Sequence, residues 1–131
     1  MGSSVVREKS YDFALRIVRL CAHLKEQKHF EMANQLMRSG TAIGANVEEA
    51  LAGYSRRDFT AKMCIASKEA REANYWLRLL TDAGILMEEN DKELLAASEE
   101  LVKMLTSIVK TTRETQAYPG QVNSKLKTKD S

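Results

Sequence analysis

Residues 55–84 read SRRDFTAKMCIASKEAREANYWLRLLTDAG and contain an unbroken apolar pattern. Apolar side chains recur there in alternating steps of four and three residues, which is the spacing of one face of an α-helix. Ser55 is a favourable N-cap, with Tyr54 and Phe59 placed to form a hydrophobic staple, and Gly84 suits the left-handed position after a helix. One long helix is therefore predicted between Ser55 and Gly84. Its apolar face consists of Phe59, Met63, Ala66, Ala70, Ala73, Leu77 and Leu80.

Three other segments show the same helical periodicity. They predict a first helix over about residues 8–26, a second over 30–53 and a fourth over 90–116, the last with Asn90 as its N-cap. Short connections make successive helices antiparallel. The sequence therefore predicts an all-α fold, an antiparallel up-down-up-down four-helix bundle over residues 8–116.

Composition agrees with this fold class and excludes others. The 131 residues include six Gly and one Pro, too few for an all-β chain, and no apolar run approaches the roughly 18 residues that a membrane span needs. Cys21 and Cys64 fall inside apolar helical patterns, so we expect free thiols in a reducing cytoplasm rather than a disulfide. Residues 1–7 are predicted to be a flexible N-terminus. Residues 117–131 lack apolar periodicity and are predicted to be a disordered basic tail.

The predicted first helix is apolar around most of its circumference. A bundle helix with one side in solvent needs an apolar stripe of only about 100°, yet Leu15, Val18 and Ala22 extend well beyond the core stripe. This excess predicts a second buried surface, most simply a subunit interface. Trp76 is a further candidate residue of that interface. The alternative is a partly exposed apolar helix.

Small residues mark the middle of the predicted second helix. Gly40 and Gly44 stand four residues apart, so both can face one neighbour and allow two backbones to approach closely. The alanine stripe of the third helix is the candidate neighbour. The alternative is a loop that divides the second helix, because each Gly costs about 1 kcal/mol within a helix.

The sequence offers little support for catalysis. A di-iron bundle needs two Glu-x-x-His motifs, and Glu26 with His29 supplies one, at the end of the first helix. The glycine segment lacks the Lys-Ser/Thr of a phosphate-binding loop. We therefore predict no metal site, no cofactor and no enzymatic activity.

Charge is distributed unevenly although the net charge is only +2. Residues 7–28 and 56–78 each carry six basic and three acidic side chains, whereas residues 82–100 carry seven acidic side chains against one lysine. Guanidinium groups are well suited to phosphate. The alternative is that these arginines are surface charges or intersubunit partners of the acidic segment. The candidate nucleic-acid-binding residues are Arg16, Arg19, Arg56, Arg57, Arg71 and Arg78.

Two stretches resemble a known family. Residues 38–50, RSGTAIGANVEEA, are similar to the helix-2 signature of the bacterial four-helix-bundle proteins encoded in 23S rRNA intervening sequences. Residues 62–72 and 75–80 resemble helix 3 of one branch of that family, and the resemblance covers about residues 10–116. Ala50 departs from the signature, which usually ends in Gly.

The resemblance implies a cytoplasmic bacterial protein that forms a homopentameric, barrel-like ring without catalytic residues. A similar fold is used by the accessory proteins of diversity-generating retroelements, whose basic rings bind nucleic acid and a reverse transcriptase. Gly40, Gly44, Asn46 and Glu49 match signature positions, and we expect their role to be structural.

These observations lead to one hypothesis and one alternative. The hypothesis is a non-enzymatic oligomeric bundle that binds structured RNA or a ribonucleoprotein, such as a ribosomal component, chiefly through Arg16, Arg19, Arg56 and Arg57. The alternative is a protein-interaction scaffold, for example an accessory subunit of a reverse transcriptase, with RNA incidental.

Overall fold

Four α-helices make up the described part of the chain, so the predicted all-α class is confirmed. The structure, a computed structural model, describes the backbone of residues 2–117 and the side chains of residues 5–114, and no strand occurs within it. The helices are α1 Gly2–Glu26, α2 Phe30–Leu51, α3 Arg56–Asp82 and α4 Glu89–Ala117. The predicted tail over residues 117–131 lies, beyond Ala117, outside the described residues.

Each helix runs antiparallel to the neighbours that it touches. Near the start of α1, Arg7 pairs with Glu48 of α2, whereas further along α1 Ile17 packs on Gly40, earlier in α2. The other helix pairs show the same reversed order, and α1 packs less extensively on α4 than on α2. Reversed contacts are Lys62–Glu49 and Arg38–Glu72 (α2–α3), Arg113–Cys64 and Asn74–Ser98 (α3–α4), and Lys9–Glu100 and Arg16–Glu93 (α1–α4).

The core is built from the predicted apolar stripes. Six of the seven residues of the α3 stripe are at most 1% exposed, and Phe59 is partly buried against them. The first helix begins earlier than the predicted start at about residue 8, since α1 starts at Gly2. Val6 explains the difference, because it is fully buried and lies two helical turns before Phe13 on the same face of α1.

The second helix is continuous through its glycines, as the close-packing interpretation requires. A Cβ built on Gly40 would stand 2.9 Å from both Cγ atoms of Ile17, and one on Gly44 would stand 3.3 Å from the carbonyl oxygen of Ser10. Both neighbours belong to α1. The expectation that the glycines face the alanine stripe of α3 is therefore wrong, since the atoms nearest to them belong to α1.

The ends of α3 agree in part with the prediction from the sequence. Ser55 accepts a hydrogen bond from the Asp58 amide at 3.0 Å, and Gly84 adopts a φ of +79°. The Ile85 amide donates to the Leu80 carbonyl at 3.0 Å, which completes the expected C-terminal cap. The hydrophobic staple is wrong, because Tyr54 is fully exposed to solvent and packs on nothing.

The start of α4 differs slightly from the prediction. The helix begins at Glu89, and the Asp91 carboxylate accepts a hydrogen bond from the Glu88 amide at 3.2 Å. Asn90 therefore lies inside the first turn and is not the N-cap. The Asp91 carboxylate bonds to the backbone amide three residues earlier, which is one of the two hydrogen bonds of a capping box.

Replacing Gly40 with alanine tests the close packing of α1 on α2. We expect Gly40→Ala to lower the free energy of unfolding by about 1–2 kcal/mol in urea titrations, because overpacking outweighs the gain in helix propensity. In an Ile17→Ala background, the same change should raise stability, since the two Cγ atoms are gone. Equal effects of Gly40→Ala in both backgrounds would contradict the assigned contact.

Candidate nucleic-acid interface

Arg16 and Arg19 line the contact between α1 and α4. The Arg16 side chain is 30% exposed and pairs with Glu93 at 3.8 Å and Asp12 at 4.0 Å. Arg19 is exposed beside an open groove of about 490 Å³ that Asp91 and Glu93 also line. Because acidic side chains neutralise this groove, it is poorly suited to phosphate. Arg16 is a partner of the acidic segment, as the alternative interpretation has it, but within one chain.

Arg56 and Arg57 occupy the first turn of α3. Both side chains are exposed, and neither forms an ion pair with a side chain in the described range. They stand at the end of the bundle where α2 ends and α3 begins, whereas Arg16 and Arg19 lie midway along α1 or beyond it. The four arginines of the leading hypothesis therefore do not form one patch on a single chain.

Arg71 belongs to a different and more basic cluster. It lines a groove of about 400 Å³ between α3 and α4, together with Lys68, Lys110 and Arg113. Glu114 is the only acidic side chain among the lining residues. We call these four cationic residues and the cleft between them the α3–α4 groove.

Hydrogen bonds hold the two arginines of the α3–α4 groove in place. Arg71 Nη2 donates to Thr106 Oγ1 at 2.8 Å, and Arg113 Nη2 donates to Cys64 Sγ at 3.1 Å. Both acceptors are neutral, so neither guanidinium forms an ion pair with its hydrogen-bond partner. Lys68 and Lys110 are exposed and form no ion pair with any described side chain.

The α3–α4 contact differs from the other three in its charges. Ion pairs bridge α1 to α2, α2 to α3 and α1 to α4, but none bridges α3 to α4 among the described side chains. The positive charge of the groove is consequently free to attract an external anion. This is the feature of the molecule best suited to phosphate.

Sequence reasoning missed three of the four residues of this groove. Lys68 and Arg71 are three residues apart on α3, and Lys110 and Arg113 have the same spacing on α4. Residues at that spacing share a helix face. Two Lys-x-x-Arg motifs on antiparallel neighbours were the available signal, but their alignment depends on the register between α3 and α4.

Arg78 lies further along α3, beside two aromatic rings. Its Nε donates to Asn74 Oδ1 at 2.9 Å, and its guanidinium carbon lies 5.8 Å from the centroid of the Tyr75 ring. Trp76 meets Tyr75 edge-on, with centroids 5.0 Å apart, and its Nε1 donates to Glu72 at 3.0 Å. Trp76 is thus half-buried and bonded within the chain.

The outward face of α1 carries an apolar stripe. Tyr11, Leu15, Val18 and Ala22 follow one another at steps of four, three and four residues and are all exposed, Leu15 by 39% and Val18 by 43%. They point away from the core, on the side opposite to Phe13. The excess apolar surface inferred from the sequence is therefore present on the single chain.

The signature residues make contacts within the bundle. Gly40 and Gly44 admit α1, as described above. Asn46 Nδ2 donates to the Ala42 carbonyl at 2.8 Å, one turn earlier in α2, and Glu49 pairs with Lys62 of α3 at 2.6 Å.

Comparison with known proteins places the chain in a family. A model of the family described as 23S rRNA-intervening sequence protein matches residues 3–107. The chain belongs to this family. The match confirms the resemblance that the signature stretches in α2 and α3 indicate.

One solved structure is similar to most of this chain. It is a protein of unknown function of the S23 ribosomal protein family from Bacteroides thetaiotaomicron, 47% identical, with a TM-score of 0.78. The similarity covers 84% of the present chain and 99% of that chain. None of the curated proteins compared with the chain matches it.

The described residues also bear on metal binding and membrane insertion. The described side chains of this family member include no group of three or more His, Cys, Asp or Glu placed to hold a metal ion. No helix between residues 2 and 117 is long and apolar enough to cross a bilayer.

The two thiols of this 23S rRNA-intervening sequence protein should differ in reactivity. Burial raises the pKa of the Cys21 thiol to about 11, against a weaker opposing effect of Lys25. Cys64 is only half-buried and borders the α3–α4 groove. At pH 8 we expect maleimide to label Cys64 within minutes and Cys21 only after unfolding, because the thiolate is the reactive form. Peptide mass spectrometry reads the site of labelling, and equal labelling of both thiols in the folded protein would contradict the assignment.

Proposed function

We propose that this protein is a non-enzymatic, oligomeric bundle of the cytoplasm that binds structured RNA or a ribonucleoprotein through basic side chains. The observation that supports the proposal best is the α3–α4 groove, where four cations face solvent and lack acidic partners on the neighbouring helix. The sequence-predicted arginines are secondary contacts in this proposal. Acidic side chains neutralise the groove beside Arg16 and Arg19, and Arg56 and Arg57 lie at a different part of the bundle.

Phosphate is the ligand group that such a groove suits. Arginine presents a planar fork that bonds two phosphate oxygens, and lysine adds a mobile point charge. Arg71 and Arg113 are positioned by their hydrogen bonds, whereas Lys68 and Lys110 are free to follow the ligand. The groove therefore combines fixed and adaptable cations, which favours an extended anion over a single small ion.

Self-association would multiply these contacts. The apolar stripe of α1 is proposed as the subunit interface, and the resemblance implies a homopentameric ring. In such a ring each groove is repeated, so that weak phosphate contacts add through effective concentration. Trp76 stays a candidate for the same interface.

A protein-interaction scaffold is the second candidate function. The exposed stripe at Leu15 and Val18 favours it, because the same surface could be covered by a protein such as a reverse transcriptase. The two functions differ in a simple observable. A partner captured by the scaffold persists in a pull-down after RNase treatment, whereas an RNA-bridged partner is lost.

Reversing charge in the α3–α4 groove tests the RNA proposal. We expect Lys68→Glu with Lys110→Glu to weaken binding of a structured rRNA fragment at least about tenfold, because phosphate contacts supply most of the affinity. The slope of log affinity against log salt should become shallower by about 0.7–0.9 for each lost contact. Fluorescence anisotropy over a salt series measures both quantities.

A matched pair of lysines controls for net charge. Lys28→Glu with Lys92→Glu changes the charge equally, at exposed positions outside the groove and off the outer stripe of α1 that form no ion pair with a described residue. This control should bind nearly as well as the natural chain. If both double variants lose affinity to the same extent, the groove has no special role. If neither loses affinity, RNA binding through this surface is wrong.

Substitutions on the outer face of α1 test self-association. Leu15→Glu and Val18→Glu should each convert the oligomer to a smaller species, because a charge buried in an apolar interface is strongly unfavourable. Both side chains are exposed on the single chain, so its folding should be unaffected. Light scattering gives the mass and circular dichroism the helix content. An unchanged mass for both variants would exclude this face as the interface.

A further inference from the structure

The basic surface of the α3–α4 groove continues along α3 toward its C-terminal end. Asn74 Nδ2 donates to Ser98 Oγ of α4 at 2.9 Å, which fixes Asn74 on the side of α3 that faces α4. Arg78 Nε in turn donates to Asn74 Oδ1 at 2.9 Å. The Arg78 guanidinium therefore lies on the same side of α3 as Arg71, two helical turns further along.

Tyr75 stands between these two arginines. It follows Arg71 by four residues, about 6 Å along the helix axis at 1.5 Å per residue. It is 48% exposed, although the Trp76 ring and the Arg78 guanidinium both approach its ring. A half-exposed aromatic ring thus lies beside a row of cations, outside the hydrophobic core.

We propose that the α3–α4 groove binds a single-stranded segment of RNA, with its phosphates on Lys68, Arg71, Lys110 and Arg113 and one base stacked on Tyr75. This inference rests on the proposed RNA-binding function and specifies its ligand. Arg78 reinforces the stack through the cation–π contact that it already makes with the ring.

An aromatic ring beside the cations discriminates between single strands and duplexes. In an A-form helix the bases are stacked on one another and their faces are closed to a protein, whereas loops, bulges and ends have bases that can be splayed out onto aromatic side chains. Tyrosine is sequence-tolerant in this role, because every base has a π-face.

Substitution of Tyr75 separates stacking from charge. We expect Tyr75→Ala to weaken binding of a single-stranded RNA 12-mer about tenfold, the typical effect of losing one stacked base. Tyr75→Phe keeps the ring and should bind normally. A fully paired hairpin stem of the same length should bind all three proteins equally, and the salt dependence of binding should stay unchanged, since no cation is removed.

Trp76 provides a measurement on the natural chain that needs no substitution. It is the single tryptophan, and its ring lies 5.0 Å from that of Tyr75. Its fluorescence should therefore change on titration with the single-stranded RNA and stay constant with the paired stem. This control keeps the inference testable even if Tyr75→Ala alters folding or assembly.

The outcomes distinguish this inference from the proposed function. One outcome is that Lys68→Glu with Lys110→Glu weakens binding, while Tyr75→Ala binds the single strand normally and Trp76 fluorescence does not change when the single strand is added. In that case RNA binding stands and the stacking site is wrong. Equal losses on the single strand and on the paired stem would also overturn it. If neither RNA binds the natural chain at low salt, both proposals fail together.

Discussion

The bundle depends on the close approach of helices whose contact surfaces have little or no side chain. Gly40 lets the branched side chain of Ile17 lie against the backbone of α2. The buried face of α3 also has small side chains, those of Ala66, Ala70 and Ala73. Close approach brings the long polar side chains at the edges of each interface within reach of one another. The size of the buried residues therefore decides which charges meet at the surface.

At three of the four helix contacts the meeting charges are opposite. Arg7 with Glu48, Lys62 with Glu49 and Arg16 with Glu93 each bridge two helices. Exposed pairs of this kind contribute only about 0–1 kcal/mol each, so their significance is electrostatic neutrality rather than stability. At the α3–α4 contact two arginines bond to neutral hydroxyl and thiol groups instead, and the four cations of the groove outnumber its one acidic lining residue, Glu114. A surface that is neutral at three edges and positive at one has a defined side for an anionic partner.

Much of the fold could be predicted from the sequence, because it depends on local periodicity. The α3 stripe, the Ser55 cap and the Gly84 terminus are all properties of neighbouring residues, and the structure has them as predicted. The candidate site depends instead on the register between helices. Nothing local to Arg16 indicates that Glu93 of α4 neutralises it, and nothing local to Arg71 indicates that Arg113 lies across the groove. For the same reason the glycines of α2 were correctly identified as a contact surface but assigned to α3, when their neighbour is α1.

The order of the helices also has a consequence for how the chain folds. Three of the four helix contacts join helices that are consecutive in sequence, through connections of a few residues, so each forms a local hairpin at small entropic cost. The contact between α1 and α4 is the exception, since it joins the first helix to the last and is also less extensive than the α1–α2 contact. Closing the longest loop of this topology is thus left to the helix contact with the smallest packed surface. Because most helix contacts join neighbours in sequence, the topology is of the local kind that favours rapid folding, and the α1–α4 contact is its one long-range requirement.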